Sequence, residues 1–168
     1  NTVRSRETNL GDLLADGMLH TARDLADDYG VPEADIALQN AGGIRNESVL
    51  TGDLTALVTF NVAPFGNFLA VDTVDGVKVR ELIEHGIGTD PLPQGRFGQW
   101  AGVEFRYDLS LPAGARVVEA TITRADGSTY DLVTAGVTNP TAGSEDSTTS
   151  QPSSCSRWAT TLSPSTSR

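Results

Sequence analysis

The sequence predicts an α+β fold: a mixed sheet with flanking helices, and antiparallel strands in the second half. Three observations carry this. Apolar residues recur at helical spacing near the start, a short apolar run leads into a glycine loop, and the later part alternates apolar with polar residues. The 168 residues are 38% hydrophobic and 20% charged, an ordinary globular mixture long enough for one domain with its own core.

Leu10, Leu13, Leu14, Met18, Ala22, Leu25 and Ala26 define the first helix, with Thr8 or Asn9 placed to cap it. Asp35–Gln39 is a short apolar run that reads as a buried strand, and the glycine loop follows at its C-terminal end, where open α/β sheets commonly bind ligands. Leu54 to about Phe60 reads as a short helix, Asn67–Val74 as a strand, and Asp75-Gly76 as a turn. A helix over Val77–Gly86 places Val77, Val79, Leu82 and Ile83 near one face and stops at Gly86 or Gly88. Asp90–Gly98 is a Pro/Gly-rich loop. Beyond it, "GVEFRYDL", "RVVEATITR" and "TYDLVT" alternate, the last two joined by Ala125–Ser128, which suggests an antiparallel meander.

The end of the chain differs. From Ser147 to Arg168, fifteen of 22 residues are Ser, Thr or Pro and none is Asp or Glu. Two readings fit: a disordered tail that buries too little surface to offset its ordering entropy, or a stretch in which the native reading frame is lost somewhere after Val133. The expected organisation is a domain over 1–143 and a disordered Ser/Thr/Pro-rich tail over 144–168.

A net charge of −10 argues against nucleic acid and anionic membranes as partners, since both attract clustered Lys and Arg; an anionic ligand needs a local cationic pocket. No apolar run approaches the roughly 18 residues that span a bilayer, so no membrane insertion is expected. The N-terminus lacks the apolar core of a signal peptide and reads as if cut from something longer. The single cysteine, Cys155, excludes an internal disulfide and a Cys-rich zinc site. His20 and His85 have no metal-ligating partners at suitable spacing and read as helix-surface residues; a two-metal hydrolase site needs many more ligands. No G-x-S-x-G elbow is present. No catalytic residue, metal ligand or cofactor is therefore expected in this chain.

What remains is a binding constellation. In "QNAGGIRN" (Gln39–Asn46) the glycines permit close backbone approach, Asn40 offers a two-sided amide and Arg45 a planar cation, so the loop is either a cradle for a phosphorylated or heterocyclic guest or an ordinary turn. Phe65, in "APFGNF", either stacks on a base or fills core space. "VRSRETNLGDLLADG" supplies further arginines.

The order R-x-R-E-x-N-x-G-[ND]-L-x-x-D (Arg4–Asp16), N-x-G-G-I-R (Asn40–Arg45), P-F-x-N (Pro64–Asn67), the helix with Glu84, and Q-x-x-G-x-x-F-x-Y-D (Gln99–Asp108) followed by "RVVEATI" resembles the C-terminal, substrate-binding domain of the 5′-nucleotidase and UDP-sugar hydrolase family. The resemblance covers about residues 4–133. It implies nucleotide recognition: Asn40 contacting the base, Phe65 stacking on one face, and Gly42, Arg4 and Arg45 contacting ribose or phosphate. It also implies an N-terminal metallophosphoesterase domain holding two divalent metal ions, absent from this chain, and an extracellular, cell-surface or periplasmic location. Hydrolysis of nucleoside 5′-monophosphates is the implied activity, with cyclic nucleotides and nucleotide sugars as related substrates. This chain alone is expected to be inactive; the alternative is a non-catalytic nucleotide- or partner-binding module, or an inactive truncated fragment.

One departure stands out. After Tyr130–Thr134 the family shows a loop whose Phe completes an aromatic clamp and whose Asp binds ribose; here Val137 stands near the Phe position, and Gly143, Glu145 or Asp146 would be remnants of the Gly-Gly-Asp element.

Overall fold

A computed structural model describes residues 2–45, 49–133 and a strand over 155–162. Val137, Gly143, Glu145 and Asp146 lie outside the described residues. The first helix, α1, spans Asn9–Asp24. The Thr8 hydroxyl accepts from the Gly11 N–H at 3.1 Å, satisfying one of the donors that a helix start leaves free. Gly11, Ala15, Leu19 and Ala22 form its buried stripe. The helix does not run to Ala26 unbroken: a separate turn, α2 (Ala26–Tyr29), ends at Gly30 in the left-handed region with φ 61°, which a residue without a Cβ adopts at little cost.

β1 (Ile36–Asn40) begins one residue later than the apolar run suggests, because Asp35 turns its buried carboxylate to accept from the Ala125 N–H at 3.2 Å. α3 (Ala56–Val62) starts two residues later than expected because Thr55 is its cap, accepting from the Val58 N–H at 3.3 Å. β2 (Phe68–Asp75) passes into α4 (Gly76–Ile87), where Asp75 caps the Lys78 N–H at 2.7 Å. The buried face of α4 is Val79, Ile83, Glu84 and Ile87, while Val77 faces solvent. Four-residue spacing, rather than the sum of apolar positions, selects the core face.

β3 (Gly98–Ala101) has no counterpart in the sequence reading. It is four residues long with a buried glutamine in it, so neither alternation nor an apolar run marks it. β4 (Val103–Tyr107), β5 (Val117–Thr123) and β6 (Thr129–Asp131) form the expected antiparallel meander. Its β5–β6 turn is closed by the Arg124 N–H donating to the Gly127-side Ser128 carbonyl at 2.8 Å.

Eight residues of the segment expected to be disordered form β7 (Cys155–Leu162). This strand pairs parallel with β1 and antiparallel with β2, giving a four-stranded mixed sheet in the order β2-β7-β1-β3. Ser/Thr-rich composition argues against an apolar face, but a ladder is made by backbone groups, and β-branched threonines suit extended chain. The main core joins the two sheets through Ile36, Ile44, Val62, Val79, Ile83, Ile87, Phe97, Val117, Ile122 and Leu132; a smaller, alanine-rich cluster seats α1 on the four-stranded sheet.

At the end of α4, Arg116 Nη1 donates to the Ile87 and Asp90 carbonyls at 2.7 and 3.1 Å, and the Tyr107 hydroxyl donates to Asp90 Oδ2 at 2.6 Å. These contacts anchor the loop that leads to Gly95 and β3. Burial, then the hydrogen bond to Asp90, push the Tyr107 hydroxyl up to about 12, above the value near 10 of an unfolded chain. The folded state therefore favours the neutral phenol, and the resulting stability is complete below about pH 10 and lost as pH rises towards 12. Urea titrations should show wild type losing stability across that window and Tyr107→Phe losing less.

Glycine substitutions give a sharper check on the backbone. Gly102 joins β3 to β4 at φ +76°, and a Cβ there would sit 2.2 Å from the Asp35 carbonyl oxygen, so Gly102→Ala should cost about 2 kcal/mol or more. Gly17, on the exposed face of α1, has open space around it; Gly17→Ala should stabilise by about 0.5–1 kcal/mol, measured by the same unfolding titrations.

Candidate functional site

The five residues singled out from the sequence lie on three segments, and a fourth segment brings two of those together. Past the end of β1, the Ala41 N–H donates to the Phe97 carbonyl and the Gly42 N–H to the Gly95 carbonyl, both at 2.8 Å. Asn40 Nδ2 donates to the same Gly95 oxygen at 3.2 Å. One residue earlier, the Gln94 N–H donates to the Arg4 carbonyl at 2.9 Å. Gln94-Gly95 thus ties the N-terminal 3₁₀ turn (Thr2–Arg4) to the glycine loop, whose own 3₁₀ turn is Ala41–Gly43. Nothing in the sequence around Gln94 pointed to this role; its only signal was a Gly in a Pro-rich loop.

Asn40 is partly committed. Its Oδ1 accepts from Gln39 Nε2 at 3.2 Å while one amide hydrogen goes to Gly95. An amide carries two donors and two acceptor lone pairs, so one of each remains for a ligand, and the Gln39 bond fixes which way the group faces. The N–H of Gly42 is spent on Gly95, and its lack of a side chain lets the Gly95 backbone come close, since a Cβ would lie 3.0 Å from Asn40 Nδ2 and 3.1 Å from the Gly95 oxygen.

Arg45 leaves the loop with its N–H donating to the Val62 carbonyl at 2.7 Å, which ties it to the end of α3. Its guanidinium lies over the Phe65 ring, 5.1 Å from the centroid. Phe65 is 47% exposed, so it is not a core-filling residue. Arg4 is half-buried, and its Nε is buried with no hydrogen-bond partner among the described residues. The structure brings Arg45 to Phe65 and, through Gln94-Gly95, the Arg4 backbone to Asn40 and Gly42.

Other groups contribute little. His20 pairs with Asp24 on the exposed side of α1 at 3.2 Å. Among the described residues, no three His, Cys, Asp or Glu side chains converge as a metal site, and no helix is long and apolar enough to cross a membrane. A groove of about 580 Å³ runs beside α4, lined by Arg80, Glu84, His85 and Arg96 among others; none of the five candidate residues lines it.

The family model described as "5′-nucleotidase, C-terminal domain" matches residues 1–135. The chain belongs to that family. It is 40% identical over 125 residues to the trifunctional nucleotide phosphoesterase protein of Bacillus subtilis, a match covering 74% of this chain and 8% of that protein. A snake venom 5′-nucleotidase of Macrovipera lebetinus is 29% identical over 122 residues, covering 71% and 30%. The crystal structure of a 5′-nucleotidase precursor from Thermus thermophilus superposes with a TM-score of 0.70 at 33% identity, covering 95% of this chain and 26% of that one. The chain thus spans less than a third of the length of each of these 5′-nucleotidase-family relatives. The fold expected from the sequence, a mixed sheet with flanking helices like the C-terminal domain of 5′-nucleotidases, is the fold found.

Because Arg45 and Phe65 are both exposed, their stacking contributes little to the fold, about 0.5–1 kcal/mol for an exposed cation–π pair. Arg45→Ala and Phe65→Ala should each shift the unfolding free energy by no more than about 1 kcal/mol in thermal or urea titrations. A larger loss in either would show that the pair is structural.

Proposed function

We propose that this chain is the nucleotide-recognition domain of a metal-dependent 5′-nucleotidase-type phosphohydrolase that converts nucleoside 5′-monophosphate to nucleoside and phosphate. The observation that carries this reading is the Arg45 guanidinium stacked on the exposed Phe65 ring at the end of the glycine loop, a cation and an aromatic face side by side in a molecule of net charge −10. A phosphate seeks the first and a base the second.

In this reading Asn40 presents its remaining donor and acceptor to the edge of the base, in the orientation that Gln39 imposes. Phe65 stacks through the ring face that Arg45 leaves open. Arg45, Arg4 and Gly42 meet phosphate or ribose oxygens. Bond cleavage belongs to an N-terminal metallophosphoesterase domain, where two divalent ions would activate water and stabilise the developing charge. An extracellular, cell-surface or periplasmic location is part of the same proposal.

Ligand-observed NMR or calorimetry with adenosine 5′-monophosphate tests it. A charge-assisted contact contributes about 1.5–3 kcal/mol and a single-faced stack about 1–3 kcal/mol, so Arg45→Ala and Phe65→Ala should each weaken binding roughly ten- to a hundredfold, with Asn40→Ala also weaker than wild type. Folded variants that all bind as well as wild type would show that the loop is only a turn. The purified chain with added manganese should release no phosphate above background; release abolished by His20 or His85 substitution would overturn the assignment of catalysis to another domain.

A further inference from the structure

Gln99 is 1% exposed, and its carboxamide is spent on one short segment. Nε2 donates to the Val3 and Arg6 carbonyls, both at 2.9 Å, and Oε1 accepts from the Thr8 N–H at 3.1 Å. These three backbone groups bracket Arg4. The neighbouring helix is shaped to leave the amide in place, since a Cβ on Gly11 would lie 2.0 Å from Gln99 Oε1. A buried amide costs stability unless every group is paired, and an apolar residue of equal volume would fill the same space without that condition. Glutamine at this position supplies two donors and an acceptor at one reach; asparagine is a methylene shorter.

We propose that Gln99 is the positioning residue for Arg4. It clamps the backbone on both sides of the arginine, and with the Gln94 N–H on the Arg4 carbonyl it gives the guanidinium one fixed stem from which to meet the anionic part of the nucleotide. The inference rests on the nucleotide site proposed above. It does not require Gln99 to touch the ligand.

Two measurements on the full 168-residue chain test it. The first is a double-mutant cycle on binding of adenosine 5′-monophosphate by ligand-observed NMR, with Arg4→Ala, Gln99→Met and the double variant. Each single variant should weaken binding about tenfold or more, and the double should bind no worse than Arg4→Ala alone. Multiplied losses in the double variant would mean that Gln99 acts on the fold at large, overturning the proposal. The second is the rate of tryptic cleavage after Arg4 and Arg6, which Gln99→Met should raise at least tenfold relative to cleavage after Arg124; unchanged rates there overturn the clamp whatever the nucleotide does. If Gln99→Met fails to fold, Gln99→Glu, which keeps the shape and the acceptor for Thr8 but loses donors, takes its place with the same expected outcomes. Binding that ignores Arg4→Ala, with cleavage still accelerated, would sink the role of Arg4 in the site and leave the clamp standing.

Discussion

The candidate site depends on the antiparallel pairing of β1 with β3. Its register places Asn40 opposite Gly98 and Gln39 opposite Gln99, and the pairing does not stop at the strand ends: Ala41 and Gly42 go on donating to Phe97 and Gly95. A loop whose N–H groups are claimed one after another by a second chain segment has little freedom left. Glycines make the close approach possible. At Gly98 a Cβ would lie 2.4 Å from Trp100 Nε1 and 2.7 Å from Leu38 Cδ1, so a larger residue there would displace the Trp100 and Leu38 side chains that pack at the mouth of the loop.

Around this pairing the polar groups divide into those that hold the site and those left to act. Gln99, Gln39 and the Gly95 carbonyl belong to the first kind; their hydrogen bonds are made within the protein. Asn40 is shared between the two. The guanidinium groups of Arg4 and Arg45 belong to the second, one with an Nε that has no partner among the described residues and one resting on an aromatic face. On the proposed reading, an acidic protein would gain selectivity from this division, because its net charge repels anions except where fixed cations outweigh the mean field.

Local rules made most of the fold legible. Thr8 caps α1 where a short polar residue precedes helical periodicity, the expected Asp75-Gly76 turn is instead the capped start of α4, and the later meander alternates as half-buried strands do. The family was legible because its motifs occur in order. What stayed hidden was long-range. β3 is too short to show a period and carries Gln99, which looks like a loop residue until its partners, more than 90 positions away, are known. The link from Gly95 to Asn40 spans 55 positions. β7 was missed for a different reason: its pairing partners, β1 and β2, select it by backbone geometry, which composition does not record. Phe65 and Asn40 were picked out by type, but only the position of the Arg45 guanidinium over the ring distinguishes a stacking surface from packing.

That position also bounds what one domain can achieve. With Arg45 over one face of Phe65, the proposed reading leaves the other face for a base. One such stack and one charge-assisted phosphate contact together amount to about 2.5–6 kcal/mol, a range that brackets the roughly 4 kcal/mol of a millimolar complex. On the proposed reading, a site of this strength would present a nucleotide rather than retain it. Joined to a domain that grips the phosphate through metal ions, the same contacts act at the effective concentration set by the connecting chain, and modest affinities multiply. On the proposed reading, the nucleoside would leave quickly once its phosphate is gone, because the contacts assigned to Arg45 and Arg4 would lose their anionic partner.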